Sequence, residues 1–255
     1  PEEFFKERIH NIRRPRPDDF QIKQAVEKIK NSKKPIIISG GGVFYSDAMD
    51  ELGNFAIKHN IPVTQTVMGY STMKKDHSHF VGPIGGLGGK AANNLAKETD
   101  LAICIGTKLA DFTTGSWANF ENPEFKLVSI NIARHDANKH LAEAVIGDAK
   151  VTLTELSNAI GDWKSSDSWH KKSQVELKSW NEYVDKESGP TNQELPSYAH
   201  AVGAIYRNSD PTDIAVTAAG GLVGEVVQVW RPKELNTHET EWGFSCMSYE
   251  ISGAL

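Results

Sequence analysis

Pro35-Ile36-Ile37-Ile38-Ser39-Gly40-Gly41-Gly42 is the stretch that decides the fold. A short apolar run, Ile36-Ile37-Ile38, opened by proline and ended by glycines, reads as a strand. On its N-terminal side, Asp18 or Asp19 can cap a helix whose Ile22, Ala25, Val26 and Ile29 share one face. On its C-terminal side a second helix carries Met49, Leu52, Phe55 and Ala56. Further strands are expected at 62–66, 100–105, 126–132 and around 144–147. Asp148 then caps a helix that turns Leu153, Leu156 and Ile160 inward. Short strands separated by helices require right-handed crossovers, so the fold class is α/β with a doubly wound parallel sheet. This gives a Rossmann-like middle domain over 20–162, preceded by an interdomain linker over 1–19.

Further along, residues 163–190 are rich in charge and carry Trp163, Trp169 and Trp180. They read as a surface helix linking two domains. A second α/β domain begins after it, over 191–255, with a helix at 196–207 and a strand at Ile214-Ala215-Val216. Tyr198, Ala199, Val202, Ile205 and Tyr206 are expected to face inward, and these apolar faces to dock on the first domain or on a second copy of the chain. The chain opens on Pro1 and closes on Ser252-Gly253-Ala254-Leu255 within a helical pattern, so both ends are expected to be cuts in a longer protein.

A net charge of −5 argues against a nucleic-acid partner. The one basic cluster, Arg13, Arg14 and Arg16, lies among prolines and reads as solvated. No apolar run reaches membrane-spanning length, so no membrane partner is expected. Cys104 and Cys246, far apart, make neither a disulfide framework nor a metal knuckle, which implies a reducing, cytoplasmic setting. The histidines, including His77-x-His79, His135, His140 and His238, lack metal-ligand spacing.

The glycine motifs divide into two groups. Gly40–Gly42 is not spaced as G-x-G-x-x-G, and the next strand ends in Thr64-Gln65-Thr66 without the acid that would hold a ribose, so a tight strand-to-helix turn is the expected role. Residues 20–160 as a stand-alone module for NAD or FAD are the alternative, which that missing acid opposes. Gly86-Leu87-Gly88-Gly89-Lys90-Ala91 reads as a loop opening a helix, since Phe80-Val81-Gly82-Pro83 before it is a weak strand. Thr217-Ala218-Ala219-Gly220-Gly221 is different. It follows a strand directly, so its backbone N–H groups could line an anion site.

Taken together, Arg14-Pro15-Arg16-Pro17, Gly40–Gly42, Ile61-Pro62-Val63, Met68-Gly69, the segment from Ile105-Gly106 to Thr114-Gly115 and Gly147-Asp148-Ala149 resemble the middle domain of thiamine-diphosphate-dependent enzymes such as acetolactate synthase and pyruvate decarboxylase. Gly220-Gly221 resembles that family's diphosphate loop. Gly243 to Met247 resembles its G-x-G-T-M-G segment. The resemblance implies a cofactor site formed by Gly220, Gly221, Leu222, Gly243, Ser245, Cys246 and Met247, with Met247 as an apolar wedge beneath a bent cofactor. It names no catalytic residue and no metal ligand here. The activating glutamate and the magnesium ligands would lie outside these 255 residues, so the chain alone is expected to bind no cofactor and to be inactive.

Leu222, Val223, Glu250 and Ser252 depart from the synthases. The phrases 191–198 and 237–245 resemble instead a branch of the family that hydrolyses a cyclic 1,2-dione. The implied reaction adds water and breaks the bond between the two carbonyl carbons, leaving a carboxylate and an aldehyde, with thiamine diphosphate and magnesium as cofactors. The full-length protein is expected to be a homo-oligomer, a dimer or tetramer. Another thiamine-diphosphate enzyme and a non-catalytic module remain the alternatives.

Overall fold

The computed structural model describes the chain except for Pro1, His10, Ile12, Trp242 and Ser245. Strands β1 (Pro35–Ser39), β2 (Val63–Gln65), β3 (Phe80–Pro83), β4 (Leu101–Ile105), β5 (Lys126–Asn131) and β6 (Glu143–Ile146) form one sheet in the order β3-β2-β1-β4-β5-β6. Every pairing in it is parallel. The chain winds one way from β1 to β3 and the other way from β4 to β6, so the order reverses between β1 and β4.

Helices α1 (Asp19–Asn31), α2 (Gly41–Tyr45), α3 (Met49–His59), α4 (Lys90–Glu98), α5 (Asp111–Thr114), α6 (Arg134–Ala137), α7 (Ala149–Ile160) and α8 (Asp167–Glu187) surround the sheet. Strand alternation divides the isoleucines of β1. Ile37 enters a core with Ala25, Leu52, Phe55 and Leu156 from α1, α3 and α7. Ile36 and Ile38 enter the opposite core with Ala92 and Leu95 of α4 and Trp169 of α8. The caps are as the sequence implies. The Asp18 side chain accepts from the Gln21 N–H, and that of Asp148 accepts from the Lys150 and Val151 N–H groups.

The structure corrects four expectations. Phe80–Pro83 is a strand, tolerating Gly82 and Pro83 because it lies at the sheet edge. The helix α8 is more than a surface linker. It buries Trp169, Ser173, Leu177 and Val184, and the Trp169 indole N–H donates to the Pro35 carbonyl at 2.8 Å. Arg14 is half-buried and paired with Asp148 at 3.1 Å, whereas Arg16 stays solvent-exposed, as expected, in a surface pair with Glu155. The Asp148 N–H also donates to the Pro15 carbonyl, so the end of the 1–19 segment is strapped to the start of α7. Finally, Tyr198 and Ile205 face outward, and it is Val202, Gly203 and Tyr206 that α9 (Tyr198–Asn208) buries.

The C-terminal region continues with β7 (Ala215–Thr217), α10 (Leu222–Val229), β8 (His238–Thr240) and α11 (Tyr249–Gly253). β7 and β8 pair parallel across α10, a single βαβ unit. This region docks on the rest of the chain, as its apolar faces require. Val202, Tyr206, Val226 and Trp230 pack with Val184 of α8. Val223 and Val227 of α10 pack with Val67 and Tyr70, in the turn after β2.

Candidate functional site

Because β7 and β8 run parallel in the register Thr217↔Thr240, the chain leaves both strands at the same edge. One exit is the loop Ala218–Gly221, the other the loop 241–247. Gly220, Gly221 and Leu222 therefore stand on one side of a candidate site, its first wall, and Gly243, Cys246 and Met247 on the other, its second. Ser245, the seventh residue expected there, lies outside the described residues.

The first wall is open backbone. Gly220 adopts φ +86°, a conformation that favours glycine, and side-chain atoms placed at Gly220 or Gly221 would meet nothing within 4 Å. Leu222 opens α10 at 47% exposure, and Gly221 offers no side chain to cap the helix. The Gly224 N–H donates back to the Gly221 carbonyl at 3.1 Å, so it is the positive helix end at exposed Leu222 that faces open space, an environment that favours an anion. The residues present fit a diphosphate on this wall. Among the described residues no group of three or more His, Cys, Asp or Glu could hold a metal ion.

On the second wall, Met247 is 84% exposed and Phe244 88%. Met247 therefore fills no core among the described residues. Ser248, at φ +73°, turns the chain into α11. Sequence reasoning passed over Glu241 in this loop. Its Oε1 accepts from the Phe244 N–H at 2.8 Å and its Oε2 from the Cys246 N–H at 2.9 Å. These backbone donors, that of Cys246 first, hold its carboxyl below the usual carboxylate range. An acid two residues before a loop glycine is the only sequence signal of it.

Behind the site, His238 of β8 is buried, with Nε2 3.3 Å from Thr217 Oγ1 and its ring edge-on to Tyr70 at 5.4 Å. Burial pushes its pKa down to about 4. Cys246 is exposed, whereas Cys104 is buried in the sheet, where desolvation pushes its thiol pKa up.

The glycines of the first domain serve packing. A Cβ on Gly40 would lie 2.4 Å from the Gly106 carbonyl oxygen, and one on Gly42 would lie 2.5 Å from Gly106 Cα. The β1 and β4 loops cross backbone to backbone there, beneath a crevice of about 260 Å³ lined by Gly41, Thr66, Met68 and Thr107. Gln65, at the end of β2, is buried and turned toward Thr72 and Met73. Gly88 likewise sits against the backbone of Pro83 and Ile84, and Gly89 against the indole of Trp180.

Residues 22–156 match the family described as the central domain of thiamine pyrophosphate enzymes. The whole chain is also similar to proteins named 3D-(3,5/4)-trihydroxycyclohexane-1,2-dione hydrolase. Identity is 36% to that of Clostridium perfringens strain 13, 38% to one from Bacillus anthracis strain A0248 and 37% to that of Clostridium tetani. In each case 100% of this chain is covered, but it spans only 43–44% of the relative's length.

Proposed function

Because the chain belongs to the thiamine pyrophosphate enzyme family, we propose that it forms the central domain and one side of the cofactor site of a hydrolase that opens trihydroxycyclohexane-1,2-dione. The observation that carries this reading is the convergence of the Gly220–Leu222 and Gly243–Met247 loops at one edge of β7–β8, in a chain that resembles proteins of that name along its whole length. Thiamine diphosphate, when bound, supplies an electron sink for breaking the bond between two carbonyl carbons. The open amides at Gly220, Gly221 and the start of α10 receive the diphosphate. Met247 presents an unbranched, polarizable side chain to the ring system, a surface suited to packing against aromatic faces.

Water enters the products as the carboxylate oxygen, and the open-chain product, 5-deoxy-glucuronate, makes this a step of myo-inositol degradation. In this reading magnesium would offset the charge of the diphosphate, and neither its ligands nor an activating glutamate is assigned to a residue described here. The complete enzyme is cytoplasmic and a dimer or tetramer. No described helix is long and apolar enough to cross a membrane.

The test is an assay of the full-length protein with thiamine diphosphate and magnesium. The dione is expected to be consumed with stoichiometric release of acid, and pyruvate to be left untouched. Turnover of pyruvate to acetolactate, or a dione reaction indifferent to the cofactor, would refute the proposal.

A further inference from the structure

Glu241 directly follows β8, and its own N–H continues the ladder by donating to the Thr217 carbonyl at 3.3 Å. Its backbone is thereby fixed to the strand pair. Its side chain then doubles back over the loop that begins after it, one oxygen taking the Phe244 amide and the other the Cys246 amide. Little else described holds that loop. Phe244 and Met247 project into solvent, and a Cβ on Gly243 would have a single neighbour, the Glu241 Oε1 itself at 3.4 Å. Among the described residues a further tie is at the far end, where the Tyr249 N–H donates to the Cys246 carbonyl and the Tyr249 hydroxyl reaches Glu239 at 3.2 Å. A charged acceptor makes hydrogen bonds roughly twice as strong as a neutral one. A loop whose described residues make no apolar packing is shaped by such bonds or by its ligand.

We infer that Glu241 is the positioning residue of the second wall: its carboxylate clamps two backbone amides, so that the Gly243–Met247 loop meets the cofactor preformed. This deepens the reading above and rests on it. A preformed loop avoids the ordering entropy that a floppy one loses on binding, so Glu241 acts on affinity without touching the reacting atoms.

The experiment uses the full-length protein and two measurements. Amide exchange of Phe244 and Cys246 is followed without cofactor, and thiamine diphosphate affinity is measured by calorimetry with magnesium. The wild type is expected to protect both amides. Glu241→Ala should exchange them at least tenfold faster, raise the cofactor Kd about tenfold, and leave kcat at saturation within about threefold. Glu241→Gln, with one acceptor oxygen, should fall between. The side chain is not part of a core, so the thermal midpoint of the cofactor-free protein should hold within about 2 °C. Unchanged protection in Glu241→Ala overturns the inference, as does lost protection with an unchanged Kd. A wild-type protein that binds no thiamine diphosphate refutes the parent reading, whatever the exchange data show.

Discussion

At Met247 the side chain stands clear of the chain's own packing, so truncating it removes no contact that stabilises the fold described here. In the full-length protein, Met247→Ala is expected to lower kcat by roughly 10- to 100-fold, about 1.4–2.7 kcal/mol in the barrier, while the thermal midpoint stays in place. A kcat within twofold of wild type at saturating cofactor, together with a lowered midpoint, would make Met247 a core residue of the complete enzyme instead. Met247 was singled out in the sequence because a motif frames it. Glu241 was not, because no sequence pattern marks a side chain that bonds backbone amides three and five residues ahead. Thr217 and His238 show a related blindness: one reads as the start of a glycine loop and the other as an ordinary histidine until the register brings them together.

Among the elements, β1 and its glycine turn were readable because the physics is local, an apolar run ended by residues without a Cβ. What the glycines are for was only partly readable, since Gly106, the partner of Gly42, lies across the sheet. Gly42→Ala places a methyl against backbone that cannot swing aside, so it should destabilise the protein by about 3 kcal/mol or more, seen as a lowered urea midpoint. Gly221→Ala is the contrasting case, because the site is open and φ is −67°. Its midpoint should be unchanged or slightly raised, and equal losses at both positions would contradict this account of the turn. The helix α8 was misjudged by its charge. Trp169, Leu177 and Val184 recur at intervals of eight and seven residues, a buried stripe too sparse to stand out among lysines and glutamates. β3 was missed because Gly82 and Pro83 weaken a strand pattern, and only the sheet order reveals an edge that tolerates them.

For the whole molecule, the contact between the two regions contains a titratable group with nowhere to put a charge. His238 is buried against Tyr70, and burial lowers its pKa from 6.5 to about 4. Its neutral form therefore contributes stability that is complete above pH 6.5 and is lost as the pH falls toward 4, where the unfolded chain binds the extra proton. His79, stacked on His170 of α8 and also lowered to about 4, adds in the same direction. Urea midpoints should decline from pH 7 to pH 5, at on the order of 1 kcal/mol per pH unit per histidine through the lower part of that range, and His238→Gln should flatten the slope. A wild-type profile level over that range would show that neither group stays neutral in the fold. The same contact bears on the order of assembly. β7 and β8 pair over three residues each, too short a ladder to persist alone. The surfaces they rest on, Val67, Tyr70 and Val184, all lie upstream. A ribosome delivers that template before residue 215 exists, so the strand pair can close on a finished surface as it emerges, and a permuted gene that made it first would leave it waiting.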